Sequence, residues 1–249
     1  MDLLLILFIA FVLVPMVIGP FMVKFTHWVS ARANIALISP EMLDPNVRAF
    51  IDNAKVEFEA LGFQFVGYMA LTDYMPQMTG YFGLFTHKMH KTSGMAAVLR
   101  HAAGKTVRYC EFANKYTNGR EIDVNNSPMM GAYINPDKST YRYPKINSIK
   151  QLYEINNWVI RHDGKAANLE GLVKGRELEM ICAAFNDEIR LQTKYGYFFL
   201  DESNDKFRLT WKGAFIMTEK QTIPAKYIFE YLDLQAARKA IAGMSFTNH

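Results

Sequence analysis

The sequence predicts an α+β fold. It begins with an N-terminal transmembrane helix, continues as an antiparallel sheet of about five strands with a helix, and ends as a mainly helical lobe with a β-hairpin. The 21 residues from Leu3 to Val23 are uncharged, and a helix of that length, at ~1.5 Å per residue, roughly matches a ~30 Å hydrocarbon layer. After it, short runs of alternating apolar residues between turn residues indicate strands, and apolar residues three or four apart indicate helices near the carboxyl end.

The apolar segment is predicted to be an uncleaved anchor. It starts with Asp2 rather than with a basic residue, and it is longer than the apolar stretch of a secretory signal peptide. Lys24 and Arg32 follow the segment and no Lys or Arg precedes it, so the positive-inside rule predicts a cytoplasmic large domain. The prolines inside it allow a kink or close packing against a partner helix. The anchor and its interface comprise Leu3, Pro15, Gly19, Pro20, Lys24 and Trp28.

Four parts of the chain are predicted. Residues 1–30 are the anchor and interface, 31–127 a lobe of one helix and the antiparallel sheet, 128–147 a linker with three prolines, and 148–249 a helical lobe with a β-hairpin. Charged residues are 21% and aromatic residues 14% of the chain, which excludes a disordered tail. Cys110 and Cys182 are predicted to be free thiols, with one disulfide as the alternative if the orientation is reversed.

The first lobe opens with a helix and continues with strands. Asp44 and Pro45 predict the helix start as cap and first-turn residue, and Gly62 predicts its end. Strands are expected over residues 63–72, 81–86, 95–101, 105–116 and 120–125.

A tight hairpin is predicted for the last two of these strands. Asn118 and Gly119 suit a two-residue type I′ turn. In the resulting register Lys115 faces Ile122, and Glu111 pairs with Asn126.

The second lobe contains helices over residues 148–162 and 176–194, then strand, polar tip and strand over residues 195–209, and a helix capped by Thr210.

This order, with the LeuThrTrpLysGly stretch at 209–213, resembles winged-helix domains over residues 148–222. The resemblance implies that helix 176–194 would enter a major groove. Its acidic residues balance its basic ones, however, so we expect a protein-contact module and no nucleic-acid partner. A final helix over residues 223–242 closes the domain or offers an amphipathic face.

His87 and His90 are the weak candidates for a metal site. Their HisXxxXxxHis spacing can supply two ligands, but a solvated turn explains these residues equally well. We therefore expect no metal or cofactor.

Methionines at predicted turns suggest an adaptable contact surface, because their side chains are unbranched and polarizable. The alternative is that they fill gaps in the core. The candidate interaction residues are Met75, Met78, Met89, Met129 and Met130.

No nucleophile, phosphate-loop or dinucleotide motif is present in the sequence. Glu111, Glu121 and Asp123 are near one another in the predicted hairpin, where cross-strand hydrogen bonding explains them as well as acid–base chemistry does.

The sequence thus predicts a single-pass, membrane-anchored, non-catalytic interaction or scaffold subunit of a membrane-associated assembly. Its expected partners are the lipid bilayer and a membrane protein. The alternative is a membrane-tethered enzyme or small-ligand receptor with a site on the sheet near Asp123 to Ser127. A deep pocket with converging polar groups there favours the alternative, whereas a filled sheet face excludes it.

Overall fold

The computed structural model describes the backbone of residues 3–163 and 168–244 and, within these ranges, the side chains from residue 13 onward. The fold is α+β. Its helices are α1 (Leu3–Thr26), α2 (Pro45–Ala60), α3 (Ile149–His162), α4 (Glu177–Lys194), α5 (Trp211–Gln221) and α6 (Ala225–Ala240). Its strands are β1 (Trp28–Ser30), β2 (Ile35–Ile38), β3 (Gln64–Met75), β4 (Met78–His87), β5 (Thr92–His101), β6 (Thr106–Tyr116), β7 (Glu121–Asn125), β8 (Lys138–Arg142), β9 (Leu169–Glu170), β10 (Phe198–Asp201) and β11 (Lys206–Leu209).

Within the described residues the main sheet has eight strands, so the predicted count of about five is wrong. Seven strands follow the order β2-β3-β4-β5-β6-β7-β8, and β9 pairs with the end of β6. All neighbours are antiparallel except β7 and β8, which are parallel. The strands missing from the prediction are β2, β8 and β9, of four, five and two residues. Segments this short show too little alternation to stand out from loops.

Two layers cover opposite faces of the main sheet. On one face, α2 and α3 pack with side chains such as Phe58, Phe112 and Ile122. On the other face, α4 and a small sheet of order β1-β11-β10 pack with side chains such as Met69 and Phe82. The first core joins residues from both predicted lobes, and β8 lies within the predicted linker. The domain boundaries themselves stay a prediction.

The β6–β7 hairpin differs from its predicted register by one residue. Tyr116 and Arg120 flank a three-residue turn, with the Tyr116 amide donating to the Arg120 carbonyl at 2.8 Å. Gly119 has a φ of +84°, whereas Asn118 is not among the residues of positive φ, so the turn is not of type I′. Glu111 consequently faces Asn125, and Lys115 faces Glu121.

The predicted transmembrane anchor is wrong. Among the residues that the structure describes, no helix is both long and apolar enough to cross a membrane. In α1, Gly19 lies against Thr218 of α5, and the Lys24 ammonium donates to the Leu209 carbonyl at 2.8 Å. The assignments as a single-pass membrane protein with a signal anchor and a cytoplasmic large domain depended on that span and are corrected with it.

The elements that suggested a winged helix are present as α3, α4, β10, β11 and α5. α3 and α4 belong to opposite faces of the main sheet. The resemblance stays a prediction.

Candidate functional site

A cavity of about 360 Å³ lies between the main sheet and α4. Its sheet wall includes Met69, Leu84 and Met95, and its helix wall includes Ile181 and Phe185. Carboxylates from three elements converge at its polar side: Glu111 from β6, Glu121 and Asp123 from β7, and Glu188 from α4. The cavity therefore combines apolar walls with a concentrated set of acidic groups.

The observed hairpin register explains why these carboxylates meet. Residues that alternate along a strand share a face, so Glu111 on β6 lies on the same face as Glu121 and Asp123 on β7. Glu111 is directly opposite Asn125 and diagonal to Asp123, a spacing of about 7–8 Å between backbones that side chains can span. In the predicted register, Ile122 and Val124 would have occupied this face.

Lys138 is the cation closest to this group. Its ammonium lies 2.5 Å from Asp123 Oδ2 and 3.7 Å from Glu121. The parallel pairing of β8 with β7 places it there, since Lys138 is opposite Glu121. Burial alone lowers the pKa of Lys138, but attraction to Asp123, Glu111 and Glu121 outweighs burial, and the net pKa is raised. Lys138 therefore remains protonated.

Asp123 is buried and only partly satisfied. Its side chain is 3% exposed. Lys138 contacts Oδ2, while Oδ1 has no hydrogen-bond partner among the described residues. A buried, unpartnered carboxylate oxygen is costly in free energy, and Asp123 is one of the residues that line the cavity.

Glu111 has an altered acidity. Burial raises its pKa to about 8, with the nearby charge of Asp123 adding to the effect. Its Oε2 accepts a 3.2 Å hydrogen bond from Asn125 Nδ2. At neutral pH Glu111 is therefore mostly protonated and can act as a hydrogen-bond donor.

Neutral amides hold the carboxylate that α4 contributes. Asn135 donates to Glu188 Oε2 at 3.0 Å, and Gln192 donates to Oε1 at 2.6 Å. These contacts fix Glu188 towards the acidic side of the cavity without neutralising its charge.

A groove of about 780 Å³ adjoins the cavity and shares Met69, Lys91 and Leu172 with it. Lys88 and Lys174 also line this groove. The groove is basic, in contrast to the acidic side of the cavity.

No family model, curated protein or solved structure matches this chain. Its chemistry must therefore be read from its own residues.

The two histidines considered for metal lie at the opposite face of the sheet from the cavity floor, packed against Tyr153 of α3. Their rings stack with centroids 4.2 Å apart. Burial lowers the pKa of His87, and His90 lowers it further. Within the described residues, no group of three or more His, Cys, Asp or Glu side chains is placed to hold a metal ion.

The candidate interaction methionines are dispersed. Met75 and Met78 pair at one end of β4, and Met89 lies in the turn after its other end. Ten residues of strand separate these ends by roughly 30 Å at about 3.3 Å per residue. Met129 and Met130 follow β7 in the chain. An interaction role for the five stays a prediction.

The residues assigned to the anchor lie in α1 and β1. Leu3 begins α1, and Pro15 and Pro20 lie inside it. Trp28 is in β1, with the Lys206 ammonium 3.9 Å from its ring centroid. Gly19 and Lys24 contact α5 and β11 as described above.

Sequence reasoning selected Glu111, Glu121 and Asp123 but missed Lys138 and Glu188. Lys138 lies in a stretch interpreted as linker, and Glu188 was counted only towards the charge balance of a helix. The segment LysSerThrTyrArg at 138–142 shows no clear alternation of apolar and polar residues, so no local signal indicated β8.

Proposed function

We propose that this protein binds a small amphipathic molecule in the cavity between the main sheet and α4. The apolar part of the molecule lies along the methionine, leucine and phenylalanine side chains, and its polar end meets the carboxylates. The observation that carries this proposal is the cavity itself, whose apolar walls meet the buried carboxylate of Asp123, one oxygen of which has no partner among the described residues. A ligand with a hydrogen-bond donor would satisfy the Asp123 carboxylate once that side chain turns towards the cavity.

The dimensions of the cavity support this function. Small-molecule sites occupy about 300–1,000 Å³ and combine apolar walls with a few converging polar groups. The cavity has a volume within that range and both features. The scaffold role expected from the sequence stays an alternative prediction.

The test is to fill the cavity and measure binding of a neutral fluorescent probe, N-phenyl-1-naphthylamine. Ala184 of α4 lines the cavity, whereas its neighbour Ala183 is exposed. Ala184→Trp should weaken binding of the probe by at least about tenfold, because the indole occupies the space that the probe needs, a loss of roughly 1.4 kcal/mol. Ala183→Trp should bind the probe as the unmodified protein does.

Met95→Trp fills the cavity from the sheet wall and repeats the test without a change in α4. Circular dichroism would establish that each variant is folded. Equal binding by the unmodified protein and both cavity-filling variants would show that the probe binds elsewhere and would exclude this cavity as the site.

A further inference from the structure

The charges around the cavity favour one chemical class of ligand. Facing Glu111 are Tyr109 on its own strand, Glu121 and Asp123 on β7, Lys138 on β8 and Glu188 on α4. Among the described residues that line the cavity, five carboxyl groups, including that of Glu170 on β9, outnumber three ammonium groups. Lys91 and Lys115 also line the cavity. Lys91 lies where the basic groove begins, and Lys115 is opposite both Glu121 and Glu170.

An anionic ligand end would add to the repulsion among these carboxylates, whereas a cationic end would relieve it. Lys138 reaches Asp123 Oδ2 but leaves Oδ1 without a partner among the described residues. An alkylammonium group offers three N–H donors. It can therefore donate to the Asp123 carboxylate and to Glu111 at the same time, since the two residues are diagonal neighbours on one face.

We propose that the ligand is an amine with an apolar body, and that its ammonium group displaces the proton of Glu111 when it binds. This proposal rests on the binding function proposed above and names the class of ligand. The amine enters as the ammonium ion, the carboxylic acid of Glu111 loses its proton to solvent, and a charge-assisted hydrogen bond forms between the ammonium and the new carboxylate. Charge and protons balance, since one cation enters the site as one proton leaves.

The proton exchange has a defined pH signature. Because Glu111 has a pKa of about 8, it is protonated below that pH, and binding then requires proton release. The affinity for an alkylamine should rise about tenfold for each pH unit from 6 towards 8 and level off above 8. An alkylamine itself titrates near ~10, as the lysine side chain does, and stays charged over this range.

The experiment measures displacement of N-phenyl-1-naphthylamine from the full chain by n-octylamine, 1-octanol and octanoate between pH 6 and 9. We expect n-octylamine to bind at least about tenfold more tightly than 1-octanol at pH 8, and octanoate to bind most weakly. Isothermal titration calorimetry at pH 7 in two buffers of different ionisation enthalpy should report close to one proton released per n-octylamine bound.

Glu111→Gln should abolish the pH dependence and the proton release of n-octylamine binding. Asp187→Asn is the matched control, because Asp187 is an exposed acid of α4 paired with Arg190, and it should behave as the unmodified protein does. A third variant, Asp123→Asn, should weaken the binding of n-octylamine more than the binding of 1-octanol.

Two results would overturn this inference while leaving the binding function intact: 1-octanol binding as tightly as n-octylamine, or n-octylamine binding with no pH dependence and no proton release. Failure of every probe to bind would reject both proposals. Retention of the full pH dependence in Glu111→Gln would assign the exchanged proton to another group and reject the role of Glu111.

Discussion

At the scale of single residues, the burial of Glu111 makes the free energy of unfolding depend on pH. The carboxyl has a pKa of about 8 in the folded protein against an ordinary value of 4.5. Between these two values the folded state holds a proton that the unfolded state has lost. The contribution of Glu111 to the free energy of unfolding is therefore greatest below pH 4.5. It falls as the pH rises towards 8, by at most about 1.4 kcal/mol per pH unit.

Glu111→Gln should remove this loss of stability, because glutamine stays neutral and can still accept the hydrogen bond from Asn125. In the ligand-free protein we expect the variant and the parent to have similar Tm values near pH 4.5. At pH 8 the variant should be more stable, with a gain in Tm of about 2–4 °C for each kcal/mol recovered. Thermal unfolding monitored by circular dichroism over this pH range is the measurement, and a constant difference in Tm would contradict the expectation.

At the scale of secondary-structure elements, α2 approaches the main sheet over two glycines. A Cβ added at Gly83 would lie 2.5 Å from Ile51 Cγ2, and one added at Gly94 would overlap the ring of Phe58. Both neighbours are fully buried side chains of α2. The missing methyl groups of β4 and β5 thus set how closely the helix packs.

Gly94→Ala should lower the free energy of unfolding by about 1–3 kcal/mol, the usual cost of overpacking a core. Gly131→Ala is the control, since Gly131 has an ordinary φ and no atom within 4 Å of an added Cβ. Urea unfolding curves of the two variants make the comparison. Equal stability of Gly94→Ala and the parent would mean that α2 can move away from the sheet without penalty.

Elements governed by local interactions were predictable from the sequence. α2 starts where expected because Asp44 Oδ1 accepts a 2.8 Å hydrogen bond from the Asn46 amide, and it ends before Gly62, which has a φ of +89°. The cap of α5 at Thr210 is likewise local, with its hydroxyl accepting from the Gly213 amide at 3.1 Å. Such contacts lie within three residues and leave a direct mark in the sequence.

The candidate site was only partly predictable, because its geometry depends on contacts distant in sequence. The proximity of Glu111, Glu121 and Asp123 follows from a hairpin, and it was expected. The face that they share was not, since an Asn-Gly pair suits both two-residue and three-residue turns. Lys138 and Glu188 join the site through a parallel strand pair and a helix crossing the sheet, and neither arrangement is encoded in a local pattern.

At the scale of the whole molecule, the two cysteines lie on opposite sides of the main sheet. Cys110 is buried in the core with α2 and α3, and Cys182 of α4 is partly exposed beside the other core. Both are free thiols. Burial raises the pKa of Cys110 to about 12, so this thiol is protected from reaction both by its protonation and by the layers that enclose it.

In the folded protein Cys182 should react with Ellman's reagent at pH 8, and Cys110 should react only as the sheet and its helices separate. Denaturant should therefore expose the second thiol in step with the loss of secondary structure. The measurement is the number of thiols modified against time, with Cys182→Ala assigning the fast phase. Rapid modification of both thiols without denaturant would show that the layers open without global unfolding.

The three-residue turn between β6 and β7 has an indirect consequence for recognition. Removing one residue from this exposed turn would exchange the two faces of β7, so that isoleucine and valine would line the cavity and the carboxylates would point at the phenylalanines beneath α2. The number of residues in this turn, which does not itself line the cavity, thus determines which side chains of β7 face the cavity. Substitutions within the turn preserve the register of β7 against β6, whereas a single insertion or deletion changes that register and with it the kind of molecule that the protein can accept.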